Sequence, residues 1–449
     1  MKEDYKDKLD NLPVDIKLRA ADRLKIHLMR QKYGYFSRIC LLMALIGPGI
    51  LVMIADNDAG GVMTYAQTGS IFGIGFFIPF MIIMLPVAYI VQEMTVRLGA
   101  VTHRGHAEMI WKRYGKFWGA FSLIDLIIAN VLTLITEFIG ITIGMRVFGV
   151  PPLISSISAV IIIASIQLFL RYWAWEWISL SIAAFNLIFV PLVFFVPHLH
   201  WGAVARSFGT WHIPGGVSSL FIYVVLANLG TTIAPWMLFF QQSSVVDKGL
   251  TVKDIRDGQI DTFIGSVFMV IVAIAIILIT AGTVYGFTKT PNLDIQTILS
   301  AISSKMGPLA MRLFALGLVE AGIIAAIAIS ASTSWAMGEA FGWPKSINMP
   351  PMQGWKFYLP GVISLLIAGG VVLIPNAPLG FLNLTVQVVA TIFMPAAMMF
   401  LLLLLNDKEI MGDHVNKPWQ NISAFTIVGF LIIMNFMYGL TVVFPHLLG

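Results

Sequence analysis

Cysteine is almost missing from this chain of 449 residues. The one residue, Cys40, excludes an intrachain disulfide and a multi-cysteine metal site. Charge is scarce as well. Asp, Glu, Lys and Arg make up 11% of the residues, against about 25% in ordinary soluble domains, so a soluble globular class is excluded. There is no HExxH stretch, which excludes a zincin-type hydrolase. The apolar–polar alternation of membrane β-strands is missing too, because the apolar runs are continuous.

What is present is apolar length. Hydrophobic residues make up 58% and the mean hydropathy is +0.86. Many runs reach the roughly 20 residues that cross a hydrocarbon core. The chain is therefore expected to be an all-α polytopic membrane protein of about eleven spans, near 39–71, 73–96, 117–146, 151–171, 176–197, 217–246, 258–286, 307–338, 355–374, 378–405 and 420–445. Residues 1–38, rich in Lys and Arg, read as a cytoplasmic amphipathic lead, with the first span acting as the insertion signal. With the N-terminus inside, the connections holding Arg97, Arg104, Lys112, Arg113 and Lys116, then Lys248, Lys253 and Arg256, then Lys345 and Lys356, then Lys408 and Lys417, all fall inside. An odd number of spans puts the C-terminus outside. The net charge of +5 then reflects this bias and implies no nucleic-acid partner. A cell-membrane protein in contact with lipid, acting as a monomer, is expected.

Two spans are interrupted. The first contains "ILVMIADNDAGGVMTYAQTG", residues 50–69, with Asp56, Asn57 and Asp58 followed by Gly60 and Gly61. The sixth contains "LANLGTTIAPWMLFFQQ", residues 226–242, with Pro235 at mid-span, where a proline breaks or kinks a helix. The breaks lie five spans apart. That spacing predicts two five-helix halves of inverted topology, 39–197 and 217–405, joined by an extracellular loop at 198–216. A cytoplasmic loop and an eleventh helix follow at 406–449. Interrupted helices at matching positions of two halves point to a transporter binding site. Unwound backbone in a membrane is tolerated only inside protein or beside water, and its carbonyls suit a hard cation. Two intramembrane acids cost about 3 kcal/mol each on insertion scales, a cost that a bound divalent cation offsets. Helix capping by Asp56 or Asp58 is the plainer reading and does not exclude ion binding.

These segments resemble the NRAMP family of divalent metal transporters, with its LeuT-type 5+5 inverted repeat. The family's Asp-Pro-Gly-Asn motif falls on Asp58, Ala59, Gly60 and Gly61, and its Met-Pro-His-Asn motif on Ala234, Pro235, Trp236 and Met237. "EMTVRLGAVTHRGHAEMI" (93–110) and "LITEFIGITIG" (134–144) are similar to the family as well. The resemblance implies metal ligation by Asp58 and by the carbonyls of Ala55 and Thr231. The family's Asn and Met ligands are replaced by Gly61 and Ala234. Loss of the thioether removes a preference for softer metals and widens the site, as in the NRAMP-related magnesium transporters. Asp56 and Asn57 are then placed to contact the ion's waters. The family's sixth-span His is Trp236, a third-span Asp falls on Leu134, and a tenth-span Gln falls on Phe393, while Glu137 is kept. A proton relay is therefore poorly supplied. The expectation is alternating-access uptake of Mg²⁺, and also Mn²⁺, as substrate without a resident cofactor and without proton coupling. The alternatives are a proton-coupled Mn²⁺/Fe²⁺ transporter and a sodium-coupled solute symporter of the same fold.

Other intramembrane polar residues are weighed individually. Glu137 is read equally as functional or as a helix-to-helix hydrogen bond. Glu320 is expected to line the aqueous path or to pair with Arg312. Glu93 and Arg97 read as an i, i+4 pair. Asn383 and Gln387 read as packing hydrogen bonds, and Trp173, Trp175 and Trp177 as an interfacial belt. An enzyme is not expected, because the two acids share one unwound segment rather than facing each other from two helices.

Overall fold

The computed structural model describes residues 47–197, 199–286, 294–375 and 377–444, together with residues 17, 18 and 22. Most of the expected N-terminal amphipathic segment, Cys40 and the start of the first span lie outside the described residues. Nine helices are long and apolar enough to cross a membrane among those described. The interrupted first span, over 48–72, and the shorter Trp355–Val371 bring the spans to the eleven that the sequence predicts.

The second to fifth spans are Phe77–Thr102, His106–Arg146, Pro152–Phe169 and Tyr172–Phe195. The sixth to eighth are Ser219–Lys248, Val252–Thr283 and Pro308–Phe341. The tenth and eleventh are Leu379–Leu405 and Pro418–Val443. The third span joins two helices at Gly115, whose φ of 84° suits glycine, so its first turns precede the predicted start at 117. A helix, Trp201–Thr210, occupies much of the expected 198–216 loop.

Burial separates centre from rim. In the sixth span 94% of the most apolar stretch is buried, against 17% in the eleventh. The third span packs along the eighth, the seventh along both halves of the first, and the first half of the sixth along the tenth. The last contact requires Gly230, because a Cβ there would meet the main-chain oxygen of Gln387 and the Thr391 hydroxyl. One expectation is corrected here. Trp175 is not interfacial but fully buried, packed between Tyr172, Phe240 and Trp335, while Trp177 is exposed. Helical periodicity explains the split, since neighbours two apart on a helix face different ways.

Candidate ion site at two helix breaks

The first span stops at Ala55 and restarts at Ala59. Asp58 is the N-cap of the second half-helix, and its Oδ1 accepts from the Gly61 amide. The capping reading is therefore correct for Asp58. A helix start is the positive end of the peptide dipole, so a carboxylate is stabilised there. Asp56, at the end of the first half-helix, is different. It is fully buried, and both carboxylate oxygens lack a hydrogen-bond partner among the described residues.

Neighbouring helices hold this break open. Glu137 Oε2 accepts the Ala59 N–H at 2.7 Å, and its Oε1 accepts from the Thr136 hydroxyl at 3.1 Å. In an unbroken helix the Ala59 N–H would go to the Ala55 carbonyl. Its diversion to Glu137 leaves that carbonyl free, so Glu137 has a definite structural bond. Asn186 of the fifth span donates to the Asn57 carbonyl at 3.1 Å, and Asn57 donates to the Met269 carbonyl at 3.1 Å. Asn383 of the tenth span reaches the Gly60 carbonyl at 3.2 Å.

The sixth span stops at Thr232 and restarts at Pro235, with Ile233 and Ala234 extended between. Here the chain frees a carbonyl covalently. The Thr231 carbonyl would bond the amide four residues on, but that residue is proline and has no N–H. The Ala234 amide is also turned away, towards the Met237 sulfur at 3.4 Å. Both carbonyls assigned from the sequence, Ala55 and Thr231, are thus released, by two different devices. Ala234 offers only a methyl, and the Met237 thioether is already engaged with the backbone. Trp236 is buried, with its carbonyl held by Ser332 at 3.2 Å.

The two breaks meet. The Thr231 hydroxyl lies 2.6 Å, and Asp58 Oδ1 3.1 Å, from where a Gly61 Cβ would sit. Tyr65, one turn further on, places its hydroxyl 3.4 Å from that of Thr232. The tenth-span group at this junction is Gln387, whose side chain abuts Gly60 and whose main chain abuts Gly230. Phe393 is only half-buried and lies six residues further along. The expected placement of Phe393 at the site is therefore replaced by Gln387, whose Nε2 lacks a partner among the described residues. Glu320 is buried and does not pair with Arg312. Among the described residues both its oxygens lack a partner, and Asn186 faces it without closing a hydrogen bond. Glu93 and Arg97 do pair, at 3.1 Å.

Sequence reasoning missed the polar clamp around the start of the first span. Asp261 accepts from the amides of Gly47 at 3.2 Å, Gly49 at 2.6 Å and Ile50 at 3.2 Å. Beside it, Lys248 and Glu176 form a buried ion pair at 2.8 Å. The charge pattern places Lys248 among the inside-facing charges, and the signal for a pair is a lone Glu176 within an apolar helix. No group of three or more His, Cys, Asp or Glu side chains is clustered as a metal centre among the described residues. Any ion at the breaks would rest mainly on carbonyls and on one or two aspartates.

Eleven spans with two interrupted helices meeting at buried acids define a LeuT-like transporter fold. The model of the Nramp family, described as natural resistance-associated macrophage protein-like, matches residues 49–441, and the chain belongs to this family. Among its relatives are the divalent metal cation transporters MntH of Listeria innocua, 26% identical over 88% of this chain and 89% of the relative, and of Lacticaseibacillus casei, 28% identical over 88% of each. The manganese transporter of Eremococcus coleocola shares the fold with a TM-score of 0.76 at 20% identity, over 90% of this chain and 88% of that one. MhsT in complex with L-phenylalanine shares it with a TM-score of 0.61 at 13% identity, over 88% of this chain and 98% of that one.

Proposed function

We propose that this protein carries a hard divalent cation across the membrane by alternating access, with Mg²⁺ as the preferred ion and Mn²⁺ also accepted. The relatives named as divalent metal cation transporters support the broader class. The observation that supports the preference is the donor set. Asp56, Asp58 and the freed carbonyls of Ala55 and Thr231 are all oxygen, Ala234 replaces a thioether with a methyl, and the Met237 sulfur is bound to an amide. Carboxylates, carbonyls and water suit Mg²⁺ and Mn²⁺, and sulfur suits softer metals. Two carboxylates also match a double positive charge.

Transport without proton coupling is part of the reading. Trp236 and Leu134 carry no exchangeable charge and are buried at the sixth-span break and in the third span. A negative-inside potential favours divalent entry by about 4.6 kcal/mol at 100 mV, twice the single-charge value. Uptake therefore needs no second gradient. The second reading is proton-coupled Mn²⁺ transport, favoured by the manganese transporter of the same fold and by Glu137, which touches the break.

The test is flux in proteoliposomes across Mg²⁺, Mn²⁺, Ca²⁺ and Fe²⁺, with an internal pH dye and Asp58→Ala as control. Mg²⁺ and Mn²⁺ flux without matching acidification is expected. Acidification in proportion to metal entry would replace this reading with the second.

A further inference from the structure

We infer that the Thr231 hydroxyl is a specificity-determining group of the ion site, exposed to the cargo by the glycine at 61, where it accepts a hydrogen bond from a water that the ion carries. The inference rests on the reading of the two breaks as an ion site and assigns to Thr231 a side-chain role distinct from that of its carbonyl.

The hydroxyl behaves unlike its neighbours. Buried helical threonines in this protein return their hydroxyls to the carbonyl of the preceding turn: Thr64 to Gly60, Thr68 to Thr64 and Thr232 to Asn228, at 2.7–2.8 Å. Thr231 is equally buried, and its Oγ1 closes no hydrogen bond among the described residues, although the Tyr65 hydroxyl faces it. A buried hydroxyl left unpaired is costly, so its exposure to this point needs a ligand to offset it.

Its surroundings identify the ligand. Three oxygens crowd the Cα of Gly61: Thr231 Oγ1 lies 2.6 Å, Asp58 Oδ1 3.1 Å and the Asp56 carbonyl 3.2 Å from where a Cβ would sit. Any side chain at 61 would push into the Thr231 hydroxyl. The amide ligand that the wider family places at this position and the Thr231 hydroxyl are therefore mutually exclusive in this geometry. The chain gives up a side chain that reaches the ion from the first break and gains a shorter oxygen from the second.

The chemistry follows from how a metal-bound water is oriented. Its lone pair points to the cation and both hydrogens point outward, so a site that holds a hydrated ion must present acceptors. Thr231 Oγ1, Asp58 and the Asp56 carbonyl are acceptors. Mg²⁺ surrenders its waters reluctantly and usually keeps several, so it benefits most from such a lining. An ion that sheds water readily benefits less.

The experiment measures Mg²⁺ and Mn²⁺ uptake in proteoliposomes for Thr231→Val, Thr231→Ser, Gly61→Asn and the double variant Gly61→Asn/Thr231→Ala, with Asp58→Ala in parallel. Thr231→Val is expected to weaken Mg²⁺ uptake about tenfold relative to Mn²⁺, the scale of a hydrogen bond to a charged group, and Thr231→Ser to restore the ratio. Gly61→Asn alone should impair both ions, and adding Thr231→Ala should recover Mn²⁺ more than Mg²⁺. The Mg²⁺ to Mn²⁺ ratio does not depend on how much protein folds. An unchanged ratio in Thr231→Val, or full activity of Gly61→Asn with Thr231 intact, overturns the inference. Should Asp58→Ala transport normally, the ion-site reading itself fails. Should Asp58→Ala be dead while Thr231→Val keeps the wild-type ratio, only the role of the hydroxyl fails.

Discussion

The two helix breaks do the same thing by opposite means. The first is polar throughout: Asp56, Asn57 and Asp58 are buried, and their backbone is held by Glu137, Asn186 and Asn383 from three other helices. The second has no charged residue. Its carbonyl is released by Pro235, and its loose amide is taken by Met237 within the same helix. One break supplies charge and depends on its neighbours, whereas the other supplies shape and depends on its own covalent structure. Damage to the first should therefore cost the most binding, and damage to the second should cost less binding and shift selectivity.

The largest effect is expected at the charge. Asp58→Ala removes both a helix cap and a carboxylate facing the junction, and should lower metal flux about 100-fold or more, beyond the usual range for outer-shell changes. Retained flux would break the comparison at its root. Next is Pro235→Ala. It restores an N–H at 235 that can take the Thr231 carbonyl, and should weaken ion binding about tenfold in a metal titration, with helix content unchanged. An equal affinity would show that the carbonyl is not used.

How much of this was legible in the sequence follows from where the information sits. Asp56, Asp58 and Pro235 are conspicuous because acids and prolines are rare and costly within apolar helices. The Ala55 carbonyl is readable as a ligand and Glu137 as a helix-to-helix hydrogen bond, but the partner of Glu137, the Ala59 N–H, is not. A bond between the third span and the first depends on interhelical packing that no single segment encodes. The tenth span shows the same limit. It is apolar on nearly every side, so composition could not tell that Gln387 rather than Phe393 faces the breaks. Trp175 was misplaced because an aromatic near a helix end satisfies an interfacial belt and a buried aromatic cluster alike.

Smaller effects sharpen the comparison. Ala234→Met supplies a thioether at the second break and should raise Mn²⁺ and Cd²⁺ uptake relative to Mg²⁺ by about tenfold. No change in that ratio in competition assays would detach selectivity from the second break. Glu137→Gln keeps an oxygen for the Ala59 N–H and should reduce Mg²⁺ flux about threefold or less. A complete loss would instead assign Glu137 a charge-bearing role in transport, in line with the proton-coupled alternative.

The central claim is that a hard, oxygen-only site at the two breaks accepts Mg²⁺. It is tested most directly by Mn²⁺ uptake into proteoliposomes at a fixed negative-inside potential, with rising external Mg²⁺. The account predicts that Mg²⁺ suppresses Mn²⁺ uptake competitively and that Mg²⁺ itself accumulates inside. Mn²⁺ uptake that continues undiminished in a large excess of Mg²⁺ would contradict it.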